Sequence, residues 1–284
     1  MSELLSISIP TRNRAKCLSD LLSDIRSSIA HGKIDTSLLK IYIFDNASTD
    51  DTKQCVDTFK ASLPISYTRS KENIGMGLNI FKAYTAIGGE YVWVIGDDEL
   101  LPRNALSLII NLIKKCSPGL IIPRELSYKG IVELPLQYSS YTDFSESMQV
   151  HNPHYLIAHS LISANVIKRS FFDKNFAMSK IDTYYGHMYG IAMGLKKNIS
   201  LIILPKESTI MVRKLYLGAV DGFWPDSIEQ EQVIYLEWLK KEFNLTINSA
   251  RVIPDYRAKF MPNILIRGMN FIHRRVISKL RLFK

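Results

Sequence analysis

Short apolar segments alternate with longer segments of helical periodicity through the first 115 residues, and this alternation constrains the fold more than any other feature. The apolar segments are rich in β-branched and aromatic residues, as is typical of buried strands. Such alternation predicts an α/β fold with a mostly parallel sheet that is flanked by helices. Pro10 is predicted to end the first strand, because proline has no backbone N–H. The predicted strands are 4–9, 40–44, 65–69 and 90–95, and the predicted helices are 15–29, 52–61, 76–86 and 104–115.

The alternation weakens after residue 118, and fewer elements are predicted there. Residues 138–147 are rich in serine and tyrosine, which favours an exposed connection. The remaining predictions are helices at 166–172, 184–195 and 229–243 and a strand at 199–204.

The positive charge of the chain is concentrated at its carboxyl end. The whole sequence carries a formal net charge of +9, whereas residues 251–284 hold nine Lys/Arg and one acid, a net of +8. A nucleic-acid enzyme more often carries its charge across the working face, so no nucleic-acid partner is expected.

Residues 263–284 have the pattern of a basic amphipathic helix. At about 100° per residue the apolar side chains form one stripe, and Arg267, Arg274 and Arg281 lie opposite it. Such a helix fits the surface of an anionic membrane. The alternative is that the stripe packs onto the body of the protein or onto a partner subunit.

Three features favour a cytoplasmic protein. No stretch of about 18 uncharged apolar residues is present, so no transmembrane helix is predicted. The amino terminus lacks the basic region of a signal peptide. Cys17, Cys55 and Cys116 are far apart and odd in number, which is typical of reduced cytosolic thiols. With the basic tail, these features predict a peripheral protein on the inner face of the cell membrane.

Consecutive carboxylates follow the predicted strand 90–95. Gly96 ends the apolar run, and Asp97, Asp98 and Glu99 come directly after it. Like charges side by side at the rim of a sheet are unfavourable unless a cation lies between them. Their oxygens suit Mg²⁺ or Mn²⁺, which binds through one or two carboxylates plus substrate phosphates. The alternative is a solvated turn, since turns favour aspartate.

Four polar segments occur in order along the first half of the chain, and together they resemble a known family. They are residues 8–14 (SIPTRNR), 43–52 (IFDNASTDDT), 73–75 (NIG) and 96–100 (GDDEL). In that order they resemble the nucleotide-sugar-binding half of family 2 glycosyltransferases, which have the Rossmann-like GT-A fold. Within that family the chain is similar to bacterial O-antigen and capsule transferases of the abequosyltransferase-like type.

The resemblance implies a division of the chain into three parts. Residues 1–118 are expected to form the nucleotide-sugar-binding half and residues 119–225 the acceptor-binding half of one GT-A domain. Residues 226–284 are expected to form a C-terminal helical extension that ends in the basic tail.

The resemblance also implies a set of residues that bind the donor, a nucleoside-diphosphate sugar. Thr11 and Asp45 would hold the base, and Asp97 would ligate Mg²⁺ or Mn²⁺. The usual first aspartate of the family's metal motif, which contacts the ribose, is replaced here by Ile95, and Asp98 would take over part of that contact. The implied donor-binding residues are Pro10, Thr11, Arg12, Arg14, Asp45, Asn73, Gly75, Asp97 and Asp98.

The family needs one general base near the acceptor hydroxyl, and the resemblance places it at Asp182. Asp173 is the rival, and Asp182 has an alternative role as a helix N-cap. His187 is expected either to face the acceptor or to lie on a helix surface. Arg213 is expected either to reach the diphosphate or to be an ordinary surface arginine.

The function that the resemblance implies is transfer of one sugar to an acceptor hydroxyl by single displacement with inversion. The acceptor would be a glycan linked to a polyprenyl diphosphate, in the synthesis of surface polysaccharide. Two alternatives remain: a nucleotidyltransferase, and a membrane-associated scaffold of the same fold with little or no activity.

Overall fold

The sheet predicted for the first half of the chain is present in the computed structural model. The structure describes residues 3–123, 137–151, 156, 162–183, 185–196, 200–203, 212–213 and 227–246. The first strands are β1 (Leu5–Thr11), β2 (Leu39–Asp45), β3 (Ile65–Arg69) and β4 (Tyr91–Val94). They lie parallel in the order β3-β2-β1-β4, with Asp45 paired to both Thr11 and Arg69. Their carboxyl ends therefore meet at one edge.

The helices between these strands cover the two faces of the sheet. They are α1 (Ala15–Gly32), α2 (Thr52–Phe59), α3 (Met76–Thr85) and α4 (Ala105–Cys116). Alternation along β4 sends Trp93 into the core beneath α1 and α4, and Val92 into the core on the side of α3. Helix α1 buries Leu18, Leu21 and Ile25 completely, and each such side chain contributes about 1.5–3 kcal/mol to stability.

The second half of the chain extends the sheet with mixed directions. The later strands are β5 (Glu99–Leu100), β6 (Leu120–Ile122), β7 (Gln137–Tyr138), β8 (Val166–Lys168), β9 (Leu201–Ile203) and β10 (Val212–Arg213). The order continues from β4 as β8-β6-β9-β7, and β8 runs antiparallel to both of its neighbours. Strands β5 and β10 form a separate antiparallel pair. The prediction of a mostly parallel sheet is confirmed for the first half.

Among the described residues of the second half, four helices pack around an aromatic cluster. They are α5 (Tyr141–His151), α6 (Lys174–Ser179), α7 (Gly186–Gly194) and α8 (Ser227–Phe243). The ring of Tyr189 on α7 lies 4.6 Å from that of Trp238 and 5.2 Å from that of Tyr235, both on α8. These contacts fix α8, the start of the predicted C-terminal extension, against the body.

Two predictions for the second half are wrong. Residues 166–172 form strand β8 and a 3-10 turn, because Val166 and Ile167 are fully buried between β4 and β6. Residues 138–147 are not an exposed connection, since Tyr141 and Phe144 anchor α5 in the core. In both places tertiary pairing outweighs the local pattern.

Pro10 lies inside β1, which continues to Thr11. The pairing of β1 with β4 stops at Ser8 and Val94, so Pro10 has no partner residue in β4. A missing N–H is tolerated there.

Within the described part of the chain, no helix is long and apolar enough to cross a membrane. The predicted tail helix at 263–284 lies outside the described residues and stays a prediction.

Candidate functional site

Asp97 is held at the edge of the sheet by the last residue of β1 and by the loop after it. Thr11 donates its hydroxyl to Oδ2 of Asp97 at 2.7 Å, and Nη1 of Arg14 donates to Oδ1 at 2.9 Å. Asp97 is only 5% exposed. Because β1 and β4 are neighbours in a parallel sheet, residues that follow both strands converge on this carboxylate.

Arg14 bridges the two aspartates of the acidic segment. The same Nη1 atom lies 3.2 Å from Oδ2 of Asp98, while Asp98 and Arg14 are each partly exposed. A positive charge therefore occupies the place between the carboxylates where the sequence predicts a cation.

Burial raises the pKa of Asp97 to about 6. The charge of Arg14 and the hydrogen bond from Thr11 oppose this rise, whereas the neighbouring charge of Asp98 adds to it. Burial alone would lower the pKa of Arg14, but the charges of Asp97 and Asp98 raise it above its ordinary value. Strong perturbation of a carboxyl group in a polar cluster is typical of a functional site.

The acidic segment offers the carboxylate oxygens of Asp97 and Asp98 as hard ligands. Among the described residues no group of three or more His, Cys, Asp or Glu side chains is placed to hold a metal ion. Mg²⁺ and Mn²⁺ accept few protein ligands when phosphate oxygens complete the shell, so this donor set fits a cation that arrives with a diphosphate. It does not fit a cation held by protein alone.

Asp45 at the end of β2 is almost completely buried and firmly oriented. Its Oδ1 accepts the backbone N–H of Ser48 at 2.8 Å, and its Oδ2 accepts the hydroxyl of Tyr67 at 2.5 Å. Nε of Arg69 lies 3.8 Å from Oδ2. Burial and the hydrogen bond to Asp45 raise the pKa of the Tyr67 hydroxyl, which therefore stays a donor. Each carboxylate oxygen can accept a second hydrogen bond, so Asp45 can still receive an N–H from a ligand.

Tyr67 and Arg69 are site residues that sequence reasoning missed. They lie in β3, and the register places Arg69 directly opposite Asp45 and Tyr67 opposite Ile43. The available signal was the period of two along β3, which puts both side chains on the same face.

The loops after β1 and β2 are tied to each other. The N–H of Asn46 donates to the carbonyl of Thr11 at 2.9 Å, and the N–H of Thr49 donates to Oδ1 of Asn13 at 2.7 Å. Pro10 precedes this junction in β1, and Arg12 is exposed beside it. The two segments implied to hold the base thus form one unit.

Asn46 connects this unit to the third segment. Its side chain donates to Oδ1 of Asn73 at 2.8 Å and accepts the N–H of Ile74 at 2.8 Å. Gly75 follows with a φ of 83°, a conformation that favours glycine, and α3 begins directly after it. The structure therefore brings Asn73 and Gly75 to the same edge as Asp45.

Asp182 lies in the connection between α6 and α7, and its side chain is exposed. This connection packs tightly on α3, since a Cβ built at Gly77 would lie 2.5 Å from the carbonyl oxygen of Ile181. Gly77 is two residues beyond Gly75. The segment that carries Asp182 is therefore fixed beside the helix that starts from the donor-side loops.

Asp173 has a structural role at the start of α6. Its side chain accepts the N–H of Phe176 at 2.9 Å, which is the N-cap interaction. The alternative role of Asp182 as a helix N-cap is wrong, because α7 has Tyr185 at its N-cap position and no side-chain cap hydrogen bond. Among the described residues, Asp182 has no hydrogen-bond or ion-pair partner for its side chain.

His187 and Arg213 lie in different surroundings. His187 is buried and stacks on Tyr84 with ring centroids 5.9 Å apart, so the expectation of a surface histidine is wrong. It lines a small cleft between α3 and α7 together with Ile181. The backbone of Arg213 pairs with that of Glu99, two residues after Asp97.

Ile95, which stands where the family usually has an acid, is fully buried in the core under α1 and α4. Its side chain makes packing contacts instead of lining the polar edge. The nearby acid Glu99 accepts the hydroxyl of Ser163 at 2.6 Å.

The profile of Glycosyl transferase family 2 matches residues 6–176, which is more than half of the chain. The chain belongs to this glycosyltransferase family. All four polar segments of the site lie within the matched residues.

Two curated relatives are similar over part of the chain. Abequosyltransferase RfbV of Salmonella typhimurium is 27% identical over 201 residues, which cover 66% of this chain and 59% of RfbV. Protein RfbJ of Shigella flexneri is 26% identical over 111 residues, which cover 39% of this chain and 77% of RfbJ. The chain thus spans less than two thirds of the length of RfbV.

Solved structures of glycosyltransferases share the fold. The match to S. aureus TarS 1–349 covers 91% of this chain and 72% of the TarS chain, with a TM-score of 0.59 and 14% identity. The mannosyltransferase PcManGT from Pyrobaculum calidifontis, in complex with GDP-Man and Mn²⁺, matches 91% and 74% with a TM-score of 0.57 and 17% identity. The predicted GT-A fold is confirmed.

Proposed function

We propose that this family 2 member transfers one sugar from a nucleoside-diphosphate sugar to an acceptor hydroxyl. The observation that carries the proposal is the carboxylate of Asp97, buried beside Arg14 and Thr11 at an edge that it shares with Asp45. Ligands of open α/β sheets bind beyond the carboxyl ends of the strands, where these residues lie. PcManGT, which has the same fold, was solved with GDP-Man and Mn²⁺, and TarS 1–349 was solved with UDP-GlcNAc.

The donor would lie across the strand ends. Asp45, oriented by Tyr67 and Ser48, would accept an N–H of the base, with Thr11 beside it. The loop of Asn73 and Gly75 would border the sugar side, where α3 begins. Asp97, with Asp98 next to it, would face the diphosphate.

Asp97 would hold Mg²⁺ or Mn²⁺ through one carboxylate oxygen, with Asp98 as a supporting contact. When bound, the cation supplies charge stabilisation to the departing nucleoside diphosphate. The protein supplies the fixed position of the carboxylate, since Thr11 holds its Oδ2 atom.

The reaction would be a single displacement with inversion. The acceptor oxygen forms a bond to the anomeric carbon while the bond from that carbon to the diphosphate oxygen breaks. The acceptor proton passes to a general base, and Asp182 is the better candidate because its carboxylate is exposed. Asp173 already accepts a helix N–H.

The acceptor that we propose is a glycan linked to a polyprenyl diphosphate, in O-antigen or capsule synthesis. Its support is the similarity to abequosyltransferase RfbV and the basic segment 251–284. The same segment supports a position on the inner face of the cell membrane.

A screen for hydrolysis of nucleotide sugars tests this function. UDP-, GDP-, CDP- and dTDP-sugars would be incubated with the full chain, with Mn²⁺, with Mg²⁺ or with chelator. We expect one donor to be hydrolysed faster than the rest and only with a cation. No hydrolysis and no thermal stabilisation by any of the four nucleoside diphosphates would favour a scaffold without activity.

A further inference from the structure

One nitrogen of Arg14 contacts both aspartates of the acidic segment. Nη1 lies 2.9 Å from Oδ1 of Asp97 and 3.2 Å from Oδ2 of Asp98. The other oxygen of Asp97 accepts the hydroxyl of Thr11. Both oxygens of Asp97 therefore already have a donor, and a metal ion at Oδ1, between Asp97 and Asp98, would meet the guanidinium of Arg14.

A guanidinium and a divalent cation cannot share these oxygens at contact distance. Two positive charges a few ångströms apart repel strongly in a partly buried site, where screening by solvent is weak. Arg14 is 28% exposed and lies on the loop between β1 and α1, so its side chain has solvent into which it can move. Asp97 is buried and cannot follow it.

We propose that Arg14 is a displaceable internal cation that competes with the divalent metal ion for Asp97 and Asp98. The inference rests on the proposed function, in which the metal ion binds at Asp97. In the free protein the guanidinium offsets part of the negative charge of the two aspartates, so binding of a cation alone is weak. When a nucleoside diphosphate arrives, its phosphate oxygens complete the metal shell and accept the released guanidinium, whose planar fork suits phosphate.

This arrangement couples the binding of the metal ion to the binding of the nucleotide. A cation without diphosphate must displace Arg14 and gains only one or two carboxylate ligands in return. A cation with diphosphate gains further ligands, and Arg14 gains a new partner. The metal ion and the nucleotide should therefore bind together.

The test is a titration of the full chain with Mn²⁺ in the absence of nucleotide, followed by the electron paramagnetic resonance signal of the free ion. Arg14→Gln should bind Mn²⁺ about tenfold more tightly than wild type. The variant lacks the charged hydrogen bond from Arg14 to Asp97, which the metal ion must break in wild type. Arg14→Lys should fall between the two, because it keeps the charge on a less suitable geometry. Arg14→Gln combined with Asp97→Asn should lose the gain.

The matched control is Arg26→Gln. Arg26 is an exposed arginine of helix α1, which follows Arg14, and its guanidinium lies 5.2 Å from the ring centroid of Phe59. Its variant should bind Mn²⁺ as wild type does. Folding of each variant is checked by its melting temperature in chelator.

The proposal would be overturned if neither Arg14 variant bound Mn²⁺ more tightly than wild type. It would also be overturned if Arg14→Gln kept its tighter Mn²⁺ binding when combined with Asp97→Asn. If the gain appears but no nucleotide sugar is consumed, the competition stands and the proposed function fails. If transfer depends on metal and the gain is absent, the function stands and the competition fails.

Discussion

Oδ1 of Asp97 accepts a hydrogen bond from Nη1 of Arg14 at 2.9 Å, although the two residues are 83 positions apart in the chain. The contact exists because β1 and β4 are parallel neighbours whose carboxyl ends meet. It fixes the acidic segment against the loop that joins β1 to α1. The geometry of the site therefore depends on the sheet. A change at the end of β1 or of β4 should alter the positions of both Arg14 and Asp97.

Asp97 should make the metal-free protein less stable as the pH rises from about 4 to about 6. Burial raises its pKa to about 6 in the folded protein, against an ordinary value of 3.8. The folded state therefore holds the proton that the unfolded state has released, so the cost of the buried charge is absent at low pH and complete above the raised pKa.

Urea unfolding in chelator measures this cost. Relative to Asp97→Asn, wild type should lose on the order of 2–3 kcal/mol of unfolding free energy between pH 4 and pH 7. A difference between the two proteins that is constant with pH would contradict the raised pKa.

Asp182→Ala should lower activity and Asp173→Ala should lower stability. Removal of the proposed base lowers kcat by about 10²–10⁴-fold. The side chain of Asp182 is exposed and has no hydrogen-bond or ion-pair partner among the described residues, so the melting temperature should stay unchanged. Asp173→Ala removes an N-cap and should cost about 0.5–2 kcal/mol of stability, with a small effect on kcat. Equal losses of kcat would remove the basis for assigning Asp182.

Gly77→Ala should disturb the segment of Asp182 through the backbone. A Cβ at this position would lie 2.5 Å from the carbonyl oxygen of Ile181, which must then move. Alanine in a helix is normally about 1 kcal/mol more favourable than glycine, so a loss of stability would itself report the clash. We expect a lower kcat and unchanged nucleoside-diphosphate affinity.

Leu78→Ala is the control for Gly77→Ala, since Leu78 is a neighbouring exposed side chain of α3. Its kcat should be that of wild type. An unchanged kcat in Gly77→Ala would show that the contact with Ile181 does not position Asp182.

Deletion of residues 263–284 tests the predicted amphipathic tail. The truncated protein should no longer sediment with vesicles that contain anionic lipid, and it should still bind its nucleoside diphosphate. Vesicles of neutral lipid serve as the reference. Loss of folding on truncation would instead show that the apolar stripe packs on the body of the protein.

The first half of the fold was predictable because each element has a local signal there. The strands β1 to β4 and helices α1 to α4 all lie near their predicted bounds, and the polar segments fall at the expected strand ends. Hydrophobic period and turn residues suffice for such regular alternation.

The second half was not predictable in the same way. Val166 and Ile167 fit a helix face as well as a strand, and only their pairing with β4 and β6 decides between the two. Likewise no local pattern indicates that Arg14 bridges Asp97 and Asp98, because that contact depends on strand order and on side-chain reach.

The central claim is that Asp97 binds a nucleoside diphosphate through a metal ion, and Asp97→Ala tests it most directly. Asp57→Ala is the control, since Asp57 is an exposed residue of α2 paired only with Lys53 and Lys60 among the described residues. Hydrolysis of the donor found in the screen is measured with Mn²⁺ and with chelator. Asp97→Ala should lose about a hundredfold or more of the metal-dependent rate, while Asp57→Ala retains it. Full metal-dependent hydrolysis by Asp97→Ala would contradict the account.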